Sequence, residues 1–194
     1  MLIGLTGSFG SGKSTVSEMF RELGATVVSA DELVHEFLGS REVKEKIRET
    51  FGGGVFRGPE LDRKELAKRI FASESLRRRL EQILHPLVYE KIKEFQARNP
   101  EKMIIAEIPL LFETGKHKDF DFVILVACPE DLAIKRLEKR GFTRYEALER
   151  LRAQIPLEEK MKHADFIVDN SGSVDETKRQ VKKIWDKLKG TGGA

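Results

Sequence analysis

The chain predicts an α/β fold, an open parallel sheet covered by helices on both faces, and three observations carry that expectation. Five short apolar runs have the continuous hydrophobicity of strands buried on both sides. Each is separated from the next by a segment of helical pattern, so the connections are crossovers rather than hairpins. The first run ends in a glycine-rich loop that opens directly into a helical pattern, "GLTGSFGSGKSTVSEMF" from Gly4 to Phe20.

Taken in order, Leu2–Thr6 is the first strand. Val16, Met19, Phe20 and Leu23 recur at three and four residues, the buried stripe of a helix, and Gly24 supplies its stop. "TVVSAD" is the second strand, with Asp31 at its carboxyl end. "MIIAEI" (Met103–Ile108), "FVILVA" (Phe122–Ala127) and "FIVD" (Phe166–Asp169) are the remaining three. Thr143-x-x-Glu146 and Ser173-x-x-Glu176 are capping boxes, the second opening a terminal helix with Val181, Ile184, Trp185 and Leu188 inward. The closing Gly-Thr-Gly-Gly-Ala tail is expected to fray.

Between the second and third strands the pattern is wholly helical. Val43, Ile47 and Phe51 share a face, Asp62 with Glu65 forms a near capping box, and the stripe Leu76, Leu80, Ile83, Leu84 ends at His85-Pro86. The expected organisation is one domain: a core of residues 1–31 and 102–194, a helical substrate subdomain of residues 32–101, and a lid over about 136–160. Such an insertion lies beside the carboxyl ends of the strands, where open α/β sheets bind ligands.

Composition narrows the class. The chain has 194 residues, enough for one sizeable core with a subdomain attached. Lys+Arg 35 against Asp+Glu 32 leaves a net charge of +3, mild basicity that a phosphate-rich ligand explains as well as nucleic acid does. Cys128 is alone, which excludes an internal disulfide and a paired-Cys metal site; the four histidines are scattered. No run approaches the roughly 20 apolar residues of a membrane span. A soluble, cytoplasmic protein without nucleic-acid or membrane partners is expected.

Gly7–Ser14 fits G-x-x-x-x-G-K-[ST], the P-loop. A strand that ends in glycines and opens a helix aims backbone N–H groups and the helix dipole at one spot, and glycines let the backbone approach phosphate closely. In that pattern Lys13 reaches the β- and γ-phosphates and the Ser14 hydroxyl ligates Mg²⁺. Asp31 has two readings: a base for an attacking hydroxyl, or an N-cap for the helix that follows. Arg136, Arg140 and Arg144 lie four apart, with Gly141 breaking the helix that would align them; they are either lid arginines that stabilise the transferring group or a solvated face paired with Glu138 and Glu149. Glu107 stands where P-loop enzymes place a metal-holding Asp, and its role is open.

"GLTGSFGSGKSTV", "ADELVHE", "LDRKELAKRIF", "ILHPLV", "IPLLFE" and "DFIVDNSGS", in that order along nearly the whole chain, resemble the dephospho-CoA kinases. The P-loop is generic; the "ILHPLV" and "IPLLFE" segments are the more specific part. The resemblance implies the P-loop nucleoside-triphosphate hydrolase-like three-layer fold and transfer of the ATP γ-phosphoryl group, with Mg²⁺, to the ribose 3′-hydroxyl of dephospho-CoA. It implies that Gly10, Ser11, Gly12, Lys13, Ser14 and Thr15 hold ATP, that Asp31 is the base and Arg140 the lid arginine, and that Asn170 falls near the adenine. His85, Leu110 and Leu111 resemble the parts that border the acceptor. Position 107 is often Asp in related sequences, and "RGFTRYEA" leaves open which of Arg140 and Arg144 does the lid's work. The alternatives are a P-loop kinase of another small acceptor, such as a nucleoside monophosphate or a sugar acid, and a nucleotide-dependent binding protein.

Overall fold

The computed structural model describes residues 1–191. Along the chain these are β1 (Leu2–Gly7), α1 (Lys13–Glu22), β2 (Thr26–Ser29), α2 (Ala30–Phe37), α3 (Arg41–Phe51), β3 (Phe56–Arg57), β4 (Glu60–Leu61), α4 (Arg63–Ala72), α5 (Glu74–Arg98), β5 (Ile104–Glu107), β6 (Phe122–Ala127), α6 (Glu130–Lys139), α7 (Arg144–Arg152), α8 (Leu157–His163), β7 (Phe166–Asp169) and α9 (Val174–Thr191). The chain divides into two compact units, residues 1–29 with 99–194 and residues 30–98.

The first unit is built on a parallel five-stranded sheet in the order β2-β5-β1-β6-β7. All five apolar runs are strands of it, and the glycine-rich loop leaves the central one. Successive residues of a strand point to opposite faces. Ile3 and Leu5 therefore face one side, where they join Val16, Met19 and Phe20 of α1 and Val181, Ile184, Trp185 and Leu188 of α9 in one buried cluster. Each such side chain contributes about 1.5–3 kcal/mol by leaving water. On the opposite face α8 packs against β6, so the sheet lies between two helical layers. Gly4 leaves room there for Leu111, which fills the space over the strand. The Thr143 capping box forms as expected, with Glu146 accepting from the Thr143 N–H and its own N–H bonding the Thr143 hydroxyl. Gly190 and Thr191 continue α9 rather than fray; the rest of the tail lies outside the described residues.

The second unit differs from the wholly helical expectation. Gly52, with φ 74°, ends α3, and a short antiparallel hairpin pairs Phe56 with Leu61 and Arg57 with Glu60. Asp62 then caps α4 by accepting from the Lys64 and Glu65 N–H groups. His85-Pro86 does not end a helix: α5 runs unbroken from Glu74 to Arg98 with Pro86 inside it. Proline deprives the Gln82 carbonyl of its helical donor, but the loss falls on the exposed side of α5, while Leu80, Leu84, Val88 and Ile92 are buried on either side of it. Val43, Ile47, Phe51, Leu66, Leu80 and Leu84 form this unit's own core.

Candidate functional site

The P-loop is held in shape from three directions. Gly10 and Gly12 adopt left-handed φ values of 82° and 94°, where a side chain would be strained. A Cβ on Gly10 would lie 2.8 Å from the Ala133 carbonyl oxygen, so the glycine also permits the approach of α6. The Ser11 carbonyl accepts from Asn170 Nδ2 at 2.8 Å and from Arg136 Nη1 at 3.2 Å. Arg136 Nη2 reaches the Asn170 carbonyl at 2.8 Å, joining the loop to the turn after β7. Asn170 is buried, and its Oδ1 accepts from the Thr177 hydroxyl at 3.0 Å.

Lys13 opens α1 and donates from Nζ to the Gly7 and Ser8 carbonyls at 3.0 and 3.2 Å, so its ammonium lies across the loop. Ser14, exposed in the first turn of α1, donates its hydroxyl to Glu107 Oε1 at 2.8 Å; the buried Ser17 donates to the other oxygen at 2.7 Å. Glu107 is the last residue of β5, in register with Leu5 and Ser29. Thr15 is exposed one residue on. Together the serine hydroxyl and the carboxylate make a hard-oxygen donor set beside a phosphate loop, which fits Mg²⁺ chemistry.

The other expected residues are distributed more widely. Asp31 is not at a strand end: β2 stops at Ser29, and Asp31 stands exposed in the first turn of α2, in the second unit. His85, half-buried midway along α5, is also in that unit; burial holds its imidazole below the ordinary 6.5, with Glu81 pulling the other way. Arg140 is the exposed C-cap of α6, followed by Gly141 at φ 91°. Arg144 lies 3.7 Å from Asp131, both exposed. Leu110 is half-buried, whereas Leu111 is fully buried. Burial raises the pKa of the Cys128 thiol, with Arg136 opposing.

Residues 1–176 match the family model described as dephospho-CoA kinase. The chain belongs to the dephospho-CoA kinase family. A dephospho-CoA kinase of Aquifex aeolicus is 42% identical over 189 residues, 96% of each chain. Among solved structures, a Thermus thermophilus protein superposes with TM-score 0.85 at 36% identity over 97% of both chains. The dephospho-CoA kinase from Campylobacter jejuni superposes with TM-score 0.72 at 31% identity over 98% of both. The family is one of phosphotransferases, and the parallel α/β sheet with its P-loop is the fold of such kinases. Sequence reasoning missed the tie made by Arg136, which it grouped with the lid arginines, and the grip on Phe9 from Gln154, whose side-chain oxygen accepts from the Phe9 N–H at 2.9 Å.

Proposed function

We propose that the chain transfers the γ-phosphoryl group of ATP to the ribose 3′-hydroxyl of dephospho-CoA, giving CoA and ADP. The observation that carries the reading is the extent of the family match, residues 1–176, which takes in the P-loop unit and the helical unit alike. The bond between the γ-phosphorus and the β–γ bridging oxygen breaks as the 3′-oxygen bonds to phosphorus. Asp31 takes the hydroxyl proton. Gly10–Thr15 cradle the phosphates through backbone N–H groups, and Lys13 and Arg140 offset charge on the moving group. Asn170 serves the nucleotide indirectly, by fixing the Ser11 carbonyl and the wall beside the adenine. His85 and Leu110 border the acceptor, with Leu111 supporting Leu110 from within the core.

Ser14 and Glu107 are the residues that would hold Mg²⁺, the serine directly and the glutamate as its hydrogen-bond partner or through water. Bound there, the ion would supply positive charge to offset the negative charge of the phosphates. The cytoplasm, which supplies ATP and magnesium, is the compartment we assign to this reaction. Among the described residues no helix is long and apolar enough to cross a membrane.

The test mixes the protein with ATP, Mg²⁺ and dephospho-CoA and follows ADP and CoA by mass, with AMP as a decoy acceptor and Asp31→Asn alongside. CoA formation by the wild type, lost in the variant and absent with AMP, is the expected result. Phosphorylation of AMP in preference would assign another acceptor, and ATP binding without transfer to either would overturn the kinase reading.

A further inference from the structure

Two adjacent residues in the connection between α7 and α8, Gln154 and Ile155, tie separate parts of the core together. Gln154 Oε1 accepts from the Phe9 N–H, inside the P-loop. The next residue, Ile155, donates its N–H to Glu113 Oε1 at 3.1 Å, and that oxygen lies 2.7 Å from the Nζ of Lys160, a fully buried residue. Glu113 is therefore fixed by a buried cation on α8 while it fixes the step that leads into α8.

Phe9 is gripped by its ring as well. It stands edge-on to Phe142, with centroids 5.3 Å apart, and the Arg150 guanidinium lies over both rings at 5.1 and 4.8 Å. Position 9 is one where the P-loop pattern asks for no particular side chain. The Gln154–Ile155 step is not held by close packing alone, because both residues line a cavity of about 460 Å³ together with Ser8 and Cys128. The hydrogen bond from Phe9 thus has a part that packing does not fill.

We propose that Gln154 is a positioning residue for the phosphate loop. By occupying the Phe9 N–H it sets the path of the loop and directs the donors from Gly10 onward at the phosphates. Glu113, locked by Lys160, is the abutment against which Gln154 holds. The inference rests on reading the loop as the ATP site, as the proposed function does.

The test uses Gln154→Met, which keeps the length of the side chain and removes the acceptor, and Gln154→Glu, which restores an oxygen. Amide exchange of the Gly7–Lys13 segment, ATP affinity by calorimetry, kcat and KM are measured with the melting temperature. The expected result is an exposed Phe9 amide in the Met variant, ATP bound about 10-fold more weakly, KM for ATP raised in step and kcat changed less than about 3-fold. The Glu variant recovers the exchange protection at an unchanged melting temperature. A Met variant with wild-type exchange and affinity overturns the proposal, as does a loss that follows the melting temperature in both variants. Should the Met variant not fold, an unprotected Phe9 amide in the wild type overturns it and a protected one supports it. A wild type that binds ATP without transferring phosphate removes the kinase reading, while the calorimetry still decides Gln154.

Discussion

Glu107 accepts the Ser14 hydroxyl at 2.8 Å, and with its second oxygen it accepts from Ser17. One carboxylate therefore orients the hydroxyl that the P-loop pattern assigns to the metal and anchors itself to the buried face of α1. Glutamate spans both serines from a strand end, a task for which the shorter aspartate has one methylene less of reach.

Removing that carboxylate should show as a metal defect. Glu107→Ala is expected to raise the Mg²⁺ concentration for half-maximal rate by about 10–100-fold, the usual cost of losing a partner that orients a metal ligand. Glu107→Gln, which keeps a hydrogen-bond acceptor, should fall between the two. Rate measured against Mg²⁺ at saturating ATP checks this, and an unchanged Mg²⁺ profile in the Ala variant would exclude the role.

Lys160 and Glu113 give a stability prediction. Their side chains are 0% and 15% exposed, so taking away one charge strands the other in the core. Glu113→Gln or Lys160→Met should each cost about 3–5 kcal/mol. The double variant Glu113→Leu with Lys160→Met should recover part of that, the remainder being the Ile155 N–H left without its acceptor. Urea unfolding of the three proteins decides it: single variants within about 1 kcal/mol of wild type would mean that water reaches the pair.

The strands were legible because parallel strands buried on both faces read as unbroken apolar runs, and "FVILVA", six residues rich in β-branched side chains, has the length and composition of one. The P-loop was legible because its chemistry needs contiguous residues. The hairpin of β3 and β4 was not, since two residues per strand leave no period to detect. Pro86 misled because Leu80, Leu84, Val88 and Ile92, buried on either side of it, hold the helix together against the roughly 3 kcal/mol that an internal proline costs. In the site, Gln154 lies 145 residues from Phe9 and Arg136 lies 125 from Ser11, contacts that no local pattern encodes. Asn170 was singled out only through the family resemblance, and its use as a brace on Ser11, set by Thr177 in the next helix, is written in no local pattern.

Gly4 offers a test of packing in the central strand. An added Cβ would lie 2.6 Å from Leu111 Cδ2 and 3.3 Å from the root of the Phe120 ring. Alanine is the better strand residue by about 0.5–1 kcal/mol, but overpacking costs about 1–3 kcal/mol, so Gly4→Ala should be net destabilising. Leu111→Val placed on top should relieve the clash and recover part of the loss. A lowered melting temperature for Gly4→Ala, partly restored in the double variant, is the expected outcome; strict additivity would show that the two positions do not meet.

The histidines set the response to mild acid. Burial, against the pull of Glu81, holds His85 below the ordinary 6.5, and burial, then His163 and Lys118, lowers His117. A histidine with a depressed folded pKa binds fewer protons folded than unfolded, so stability falls as pH drops through about 6.5 and is fully present above it. The capping carboxylates Glu146 and Glu176 are held low, mainly by backbone N–H groups, and Asp62 likewise; their contribution is lost only below the ordinary carboxylate range. The two windows are thus separate. Unfolding midpoints in urea between about pH 8 and 5.5 should decline for the wild type, and less steeply for His85→Gln and for His117→Gln, because each variant removes one proton-linked group. His85 lies in the helical unit and His117 in the sheet unit, so a fluorescence signal from Trp185 reports the His117 effect directly. A wild-type midpoint that stays level across this range would place both imidazoles in water.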